Sequence, residues 1–238
     1  MNKEQLDTYV QFSKEKLGFE FHDIKLLITA LTHRSYVNEH KKSVNDHNER
    51  LEFLGDAVLE LVVSDFLFRN YSESEGIMTS WRAALVRTES IGAAGELLGY
   101  GPLVRMSRGE RNGSERARQV ILADCFEAVI GAIYLDQGYK KAEQFIRENI
   151  LVKIDAVLQS ESWRDPKSHL QELAQRLEGT TPIYRVLKED GPDHDKVFTL
   201  GVFVDNKLKG AGTGHSKQEA QTAAAAEAIK KFQKDNKR

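Results

Sequence analysis

The sequence predicts an all-α domain followed by a small α+β domain of order α-β-β-β-α. Three observations carry that prediction. Residues 1–157 place apolar side chains at helical spacing almost throughout, with no convincing period-two alternation. Near residue 160 the pattern changes to three strand-like runs held between two helices. Charge divides at the same place: residues 1–164 carry 21 basic and 25 acidic side chains, residues 165–238 carry 13 and 11. An acidic front and a mildly basic back suggest two parts with different work.

Taken in order, the spacing predicts helices near 4–16, 23–32, 47–70, 78–98, 115–136 and 139–157. The stretches "FEFHD", "YSESEG", "GYGP" and "RMSRGERNGS" punctuate them. Residues 1–158 form the predicted helical domain, 159–165 a linker, and 166–236 the second domain. Asp165 before Pro166 suits a helix start, with a capping acceptor and proline at the first helical position. That helix runs to about 178, and the runs "PIYRVLKED", "KVFTLGVFV" and "KLKGAGTGH" follow as strands. A last helix begins at Ser216, where Ser216 and Glu219 make a capping box. The tract "AQTAAAAEA" inside it is alanine-rich.

Composition narrows the class. A net charge of −2 gives no global pull toward nucleic acid or anionic membranes. Cys125 is the only cysteine, so no internal disulfide can form. The start "MNKEQLDTYV" lacks the apolar core of a signal peptide, and "AVIGAIYL" at 128–135 is far short of the roughly 20 residues a membrane span needs. A cytoplasmic location without a membrane partner is the expectation.

The informative feature is acid inside apolar helix. In "NERLEFLGDAVLEL" the residues Glu49, Glu52, Asp56 and Glu60 recur at spacings of three and four and share one face. In "ILADCFEAVIGAIYL" Asp124 and Glu127 are the only charges, again at helical spacing. Neither row supplies its own cation, and burying unpaired carboxylates is costly. If the two faces meet, four acids surround one small volume. A hard divalent cation, Mg²⁺ or Mn²⁺, is the natural partner for oxygen ligands. No ExxH motif is present to suggest a di-iron bundle. Glu49 also reads as a capping-box acid after Asp46, and Glu60 as an ordinary surface acid. His33 and His47 are candidate general bases, but each lies near a helix start and reads more simply as a cap or packing residue. Cys125 reads as a small buried apolar group.

"HNERLEFLGDAVLEL" resembles the signature of the ribonuclease III family. The flanking pieces "LTHRSY", "SEGIMTSWRAALVR" and "RGERNGSERARQVILADCFEAVIGAIYLDQG" fit it as well, and the resemblance covers nearly the whole chain. It points to a bacterial member with a single catalytic domain. The resemblance implies that Glu52, Asp56, Asp124 and Glu127 are the metal-ligand and catalytic carboxylates, with Glu49 and Glu75 as supporting acids. It implies a Mg²⁺-dependent endoribonuclease, with Mn²⁺ able to substitute and no small-molecule cofactor. It implies a homodimer that holds double-stranded RNA in a valley and leaves 5′-phosphate and 3′-hydroxyl ends with a short 3′ overhang. The implied role is processing of ribosomal-RNA precursors and structured mRNA and tRNA transcripts. Phe53 matches an aromatic that docks into the partner subunit; plain core is the competing reading. The chemistry is consistent, because water activated by a metal needs no side-chain nucleophile.

Two further stretches bear on RNA. The loop "VRMSRGERNGSERARQ" carries arginines between glycines, and Arg108 and Arg111 could follow a phosphate backbone. A solvated surface loop is the alternative. The segment 165–235 resembles a double-stranded-RNA-binding domain, which implies RNA contacts from Gln171, Glu172, His194, Ser216 and Lys217. Such domains read A-form shape rather than base sequence. Position 218 is Gln where the family commonly has a second lysine, which predicts weaker binding by this domain alone. A non-catalytic double-stranded-RNA-binding protein and an unrelated metal hydrolase are the rival readings.

Overall fold

Two long helices cross at the centre of the first unit. The computed structural model describes residues 3–41, 43–160, 163–192 and 196–235. The chain forms two compact units, Met1–Trp163 and Arg164–Arg238. The first is helical throughout, apart from an isolated bridge between Thr32 and Arg105. The second has the predicted α-β-β-β-α order. Trp163, inside the segment expected as linker, packs edge-on against Trp81.

The helices of the first unit are α1 (Lys3–Phe12, continued by a π-turn over Ser13–Leu17), α2 (Ile24–Ala30), α3 (Arg34–Glu39) and α4 (Glu49–Asn70). After them come α5 (Glu75–Val86), α6 (Thr88–Leu98), α7 (Arg108–Arg111), α8 (Glu115–Gln137), α9 (Tyr139–Asn149) and α10 (Ile154–Ser160). Besides the four-residue α7, which falls in a stretch expected as loop, the structure differs from the periodicity in three places. The predicted 78–98 helix is two helices, because Arg87 is extended with ψ 150°. That corner turns the Gly92 face of α6 onto α8, so closely that a Cβ on Gly92 would collide with the Gln119 carbonyl. The predicted 139–157 helix likewise breaks at Ile150. The third difference is α3, which sequence spacing did not reveal; it is only six residues long.

Helix α8 is buried nearly all round from Ile121 to Ile133, and α4 packs along it. Their apolar faces, with Leu51, Val58, Leu59 and Val62 against Phe126, Val129, Ile130 and Ile133, form the middle of the core. Glycine decides how closely they approach. A Cβ on Gly55 would overlap the Glu127 carbonyl, and one on Gly131 would overlap that of Leu51. Two glycines in helix interiors cost helix propensity. Here they bring one backbone directly against the other.

The second unit runs α11 (Pro166–Glu178), β1 (Ile183–Asp190), β2 (Val197–Val204), β3 (Lys207–Gly214) and α12 (Lys217–Asp235). Asp165 caps α11 by accepting from the Ser168 N–H at 2.9 Å. The sheet is antiparallel in the order β1-β2-β3. Asp205 and Asn206, both at positive φ, make the tight β2–β3 turn that such residues tolerate. Both helices cover one face, with Leu170, Val202, Val204, Ala224, Ala228 and Phe232 in the core. The alanine-rich tract has its reason here. Gly210 and Gly212 of β3 lie so near the α12 backbone that a Cβ on either would clash there, and only small side chains fit at that separation.

Candidate active site

The glycine crossing sets the acids opposite one another. Glu52 and Asp56 flank Gly55 on α4, and Asp124 and Glu127 lie on the turn of α8 that meets it. Asp56 is exposed, whereas Glu52, Asp124 and Glu127 are half-buried. Their charges act on one another. Burial, followed by Asp56, Glu52, Asp124 and Glu60, pushes the Glu127 carboxyl up to about 8. Burial, followed by Asp124, Glu49 and Asp56, pushes Glu52 up to about 7. Burial also raises Asp124, with His33 opposing and Glu49 adding to the rise.

The acid row on α4 is treated unevenly by the fold. Its outer members find cations that sequence spacing could not show. Arg34 lies 3.4 Å from Glu49, and the Arg82 Nε lies 2.8 Å from Glu60. The inner four, Glu52, Asp56, Asp124 and Glu127, take no Lys or Arg partner among the described residues. Their like charges act on one another with no Lys or Arg set between them. Among the described residues no three His, Cys, Asp or Glu side chains already stand close enough together to hold an ion. The donor set is nonetheless all oxygen and anionic, which fits a hard divalent cation.

The cleft beside these acids, about 640 Å³, is lined by His33, Asn48, Glu49, Glu52, Glu110 and Asp124, with Arg34 and Ser35 at one side. The chain from Leu31 to His33 is fixed there by backbone bonds: Arg105 N–H donates to Leu31 O and His33 N–H to Arg105 O. His33 caps α3, its ring accepting from the Ser35 N–H at 3.4 Å. Burial holds its pKa below the usual imidazole value. His47 Nδ1 stands 3.9 Å from Glu49. Asn48, and not Asp46, is the residue flanking the α4 start, so the capping-box reading of Glu49 does not hold. Cys125 is wholly buried, and burial raises its thiol pKa far above the range of a nucleophile.

Other predicted residues lie elsewhere. Glu75 is exposed in the first turn of α5, accepts from Thr79 Oγ1 at 3.1 Å, and lines a separate apolar groove with Arg82, Leu61 and Phe68. Phe53 is 80% exposed, so it is not core within this chain. The arginine loop is more ordered than its glycines suggested. Ser107 caps α7; Arg105 lies 4.3 Å over the Tyr36 ring, and Arg111 donates to the Val104 carbonyl at 3.3 Å. Arg108 is exposed. In the second unit Ser216 accepts from the Glu219 N–H at 3.1 Å, and Glu219 accepts from the His215 N–H at 2.9 Å. Lys217 is 3.6 Å from Glu189. Gln171 and Glu172 are exposed on α11, and His194 lies outside the described residues.

Residues 23–154 match the family model described as Ribonuclease-III-like, and residues 166–232 match the double-stranded RNA binding motif. The chain is 48% identical over 220 residues to Ribonuclease 3 of Bacillus cereus strain G9842, covering 92% of this chain and 89% of that relative. It belongs to the ribonuclease III family. The Bacillus anthracis strain A0248 relative, also a Ribonuclease 3, matches with the same identity and coverage. Among solved structures, the nuclease domain of ribonuclease III from Campylobacter jejuni superimposes with a TM-score of 0.51 at 41% identity, covering 62% of this chain and 98% of that one. A second structure of that domain gives 0.50 at 40% identity, covering 62% and 95%. As a ribonuclease III the chain is an endoribonuclease, a hydrolase with a double-stranded-RNA-binding motif attached. Sequence reasoning missed Arg34 and Arg82 as partners, Asn48 and Glu110 as cleft residues, and the role of Gly55 and Gly131. Only the glycines had left a signal, as breaks in otherwise apolar helices.

Proposed function

We propose that this ribonuclease cuts double-stranded RNA with Mg²⁺, or Mn²⁺ in its place, held by Glu52, Asp56, Asp124 and Glu127. One observation carries this: four carboxylates without basic partners face one another across a backbone-to-backbone helix crossing. A divalent ion bound there supplies positive charge to the phosphodiester and lowers the pKa of the attacking water. The chain's own residues do the rest. Glu52 and Glu127, half-buried and raised to about 7 and about 8, would give up their protons to hold a cation, with Asp124 beside them as a further ligand. Asp56 sits at the solvent side, where a phosphate would enter. Glu49 is held by Arg34 at the rim as a supporting acid, and Glu75 with Arg82 lies on α5, lining a groove against the later part of α4. Attack of water with loss of the 3′ oxygen would leave 5′-phosphate and 3′-hydroxyl ends, and a short 3′ overhang follows if two such sites cut opposite strands at offset positions.

Two sites require two copies. Phe53, Leu61 and Phe68 of α4 are 80%, 56% and 76% exposed and share one helix face. Such an apolar strip suits a homodimer contact. One solved structure of the Campylobacter nuclease domain concerns a region involved in dimer formation of that protein. The second unit grips A-form RNA through Gln171, Glu172, Ser216, Lys217 and His194, with Arg108 and Arg111 adding phosphate contacts from the first unit. Processing of ribosomal-RNA precursors and structured mRNA and tRNA transcripts in the cytoplasm is the corresponding role. Among the described residues no helix is long and apolar enough to cross a membrane.

The test is cleavage of a perfect RNA duplex with Mg²⁺ and with EDTA, followed by mapping of the ends. Glu127→Gln should lower cleavage by at least about 100-fold and leave duplex binding within about twofold. A Glu127→Gln protein cutting at the wild-type rate would remove Glu127 from the site. Binding without cutting by the wild-type protein would favour the non-catalytic reading.

A further inference from the structure

Asn48 is the one polar side chain of the cleft that is almost completely buried, at 1% exposure. Its backbone is fixed on both sides: its N–H donates to Thr32 O at 2.9 Å, and its carbonyl accepts from the Glu52 N–H at 2.9 Å. It flanks the first residue of α4, where Asn commonly caps the helix with its side chain. Here the side chain makes no cap hydrogen bond. The amide nitrogen points instead at Cys125 Sγ, 3.8 Å away, a weak acceptor. The amide oxygen is buried and has no hydrogen-bond partner.

Buried acceptors without partners are uncommon, and each calls for a reason. Packing alone gives none, since an apolar residue would fill the space without a desolvated oxygen. Capping gives none either, since the amide does not cap. The surroundings give one. Asn48 lies one turn before Glu52 and touches Cys125, the neighbour of Asp124. It lines the cleft together with Glu49, Glu52 and Asp124. A hydrated divalent cation would bring O–H donors to the cleft, whereas the acids, once ionised to hold it, accept without donating.

We propose that Asn48 is a positioning residue of the metal site, its amide oxygen accepting a hydrogen bond from the hydration shell of the ion held by Glu52 and Asp124. The inference rests on the metal-dependent reading above. Outer ligands of this kind orient the inner ones, and their loss typically weakens metal binding 10- to 100-fold.

Mn²⁺ binding to RNA-free protein, followed by electron paramagnetic resonance, tests this alongside the melting temperature without divalent ions. Asn48→Ala should weaken Mn²⁺ binding by about 10-fold while the ion-free melting temperature stays level or rises. Mn²⁺ binding within twofold of wild type overturns the proposal, whatever the melting temperature does. Should Asn48→Ala melt lower, Ile146→Val in α9 serves as a control for ordinary core loss. Weakened Mn²⁺ binding in the Asn48 variant alone then supports the proposal, and equal weakening in both overturns it. A wild-type protein that binds no Mn²⁺ and cuts without divalent ions would defeat the metal reading itself, a result separate from failure of Asn48.

Discussion

Glu52 and Glu127 carry pKa values of about 7 and about 8, against an ordinary carboxyl value near 4.5. The rise means that the folded, metal-free protein holds these protons more tightly than the unfolded chain does. Stability from that source is full below about pH 4.5 and is lost as pH climbs through 7 and 8. The melting temperature of EDTA-treated protein should therefore fall between about pH 5 and pH 8. Added Mg²⁺ should restore more of it at pH 8 than at pH 6, because ligands bind as carboxylates. Cleavage at low Mg²⁺ should rise over the same interval, with a midpoint that moves down as Mg²⁺ is increased. A melting temperature flat across this interval, with and without Mg²⁺, would show that these acids are not coupled as described.

At the scale of the element, α4 and α8 act as a pair. Their glycine crossing fixes the separation from which Glu52 and Asp56 face Asp124 and Glu127. Gly55→Ala must push a methyl into the Glu127 carbonyl, so the helices separate or distort. Overpacking of this kind costs about 1–3 kcal/mol or more. The variant should melt several degrees lower and lose most cleavage. Gly76→Ala is the contrast: nothing lies within 4 Å of its added Cβ, and the residue is helical. It should keep wild-type activity and gain up to about 1 kcal/mol from helix propensity. Calorimetry and cleavage rates on the two variants check the pair. The same logic explains the break at Arg87, where a continuous helix could not have laid Gly92 against α8.

Across the whole molecule, the proposed dimer contact and the proposed RNA contacts draw on different surfaces. Phe53→Asp places a charge in the exposed α4 strip and should turn a dimer into a monomer in sedimentation, with loss of double-strand cutting. An unchanged mass would place the contact elsewhere. In the second unit, Lys217 and Lys196 both lie 3.6 Å from Glu189, so their charge is partly spent within the protein. Gln218 is exposed beside Lys217. Gln218→Lys should tighten duplex binding and steepen its salt dependence by about one unit of slope. Binding measured between 50 and 200 mM salt reads this directly. An unaltered slope would mean that position 218 does not reach a phosphate.

The order of elements, the strand runs and the acid rows were legible because each rests on local periodicity. Strands predicted at 182–190, 196–204 and 207–215 form at Ile183–Asp190, Val197–Val204 and Lys207–Gly214. Helix starts at Asp165 and Ser216 were written in their capping residues. What the sequence could not show is distance across the fold. Arg34 is 15 positions from Glu49, and Arg82 is 22 from Glu60, so no spacing rule links them. The one-residue corner at Arg87 and the six-residue α3 are too short for a period to register. The chain by itself determined that carboxylates would lie on two apolar helices. Tertiary structure decided which of them keep a partner and which are left facing each other, because pairing depends on approach in space and two glycines set that approach.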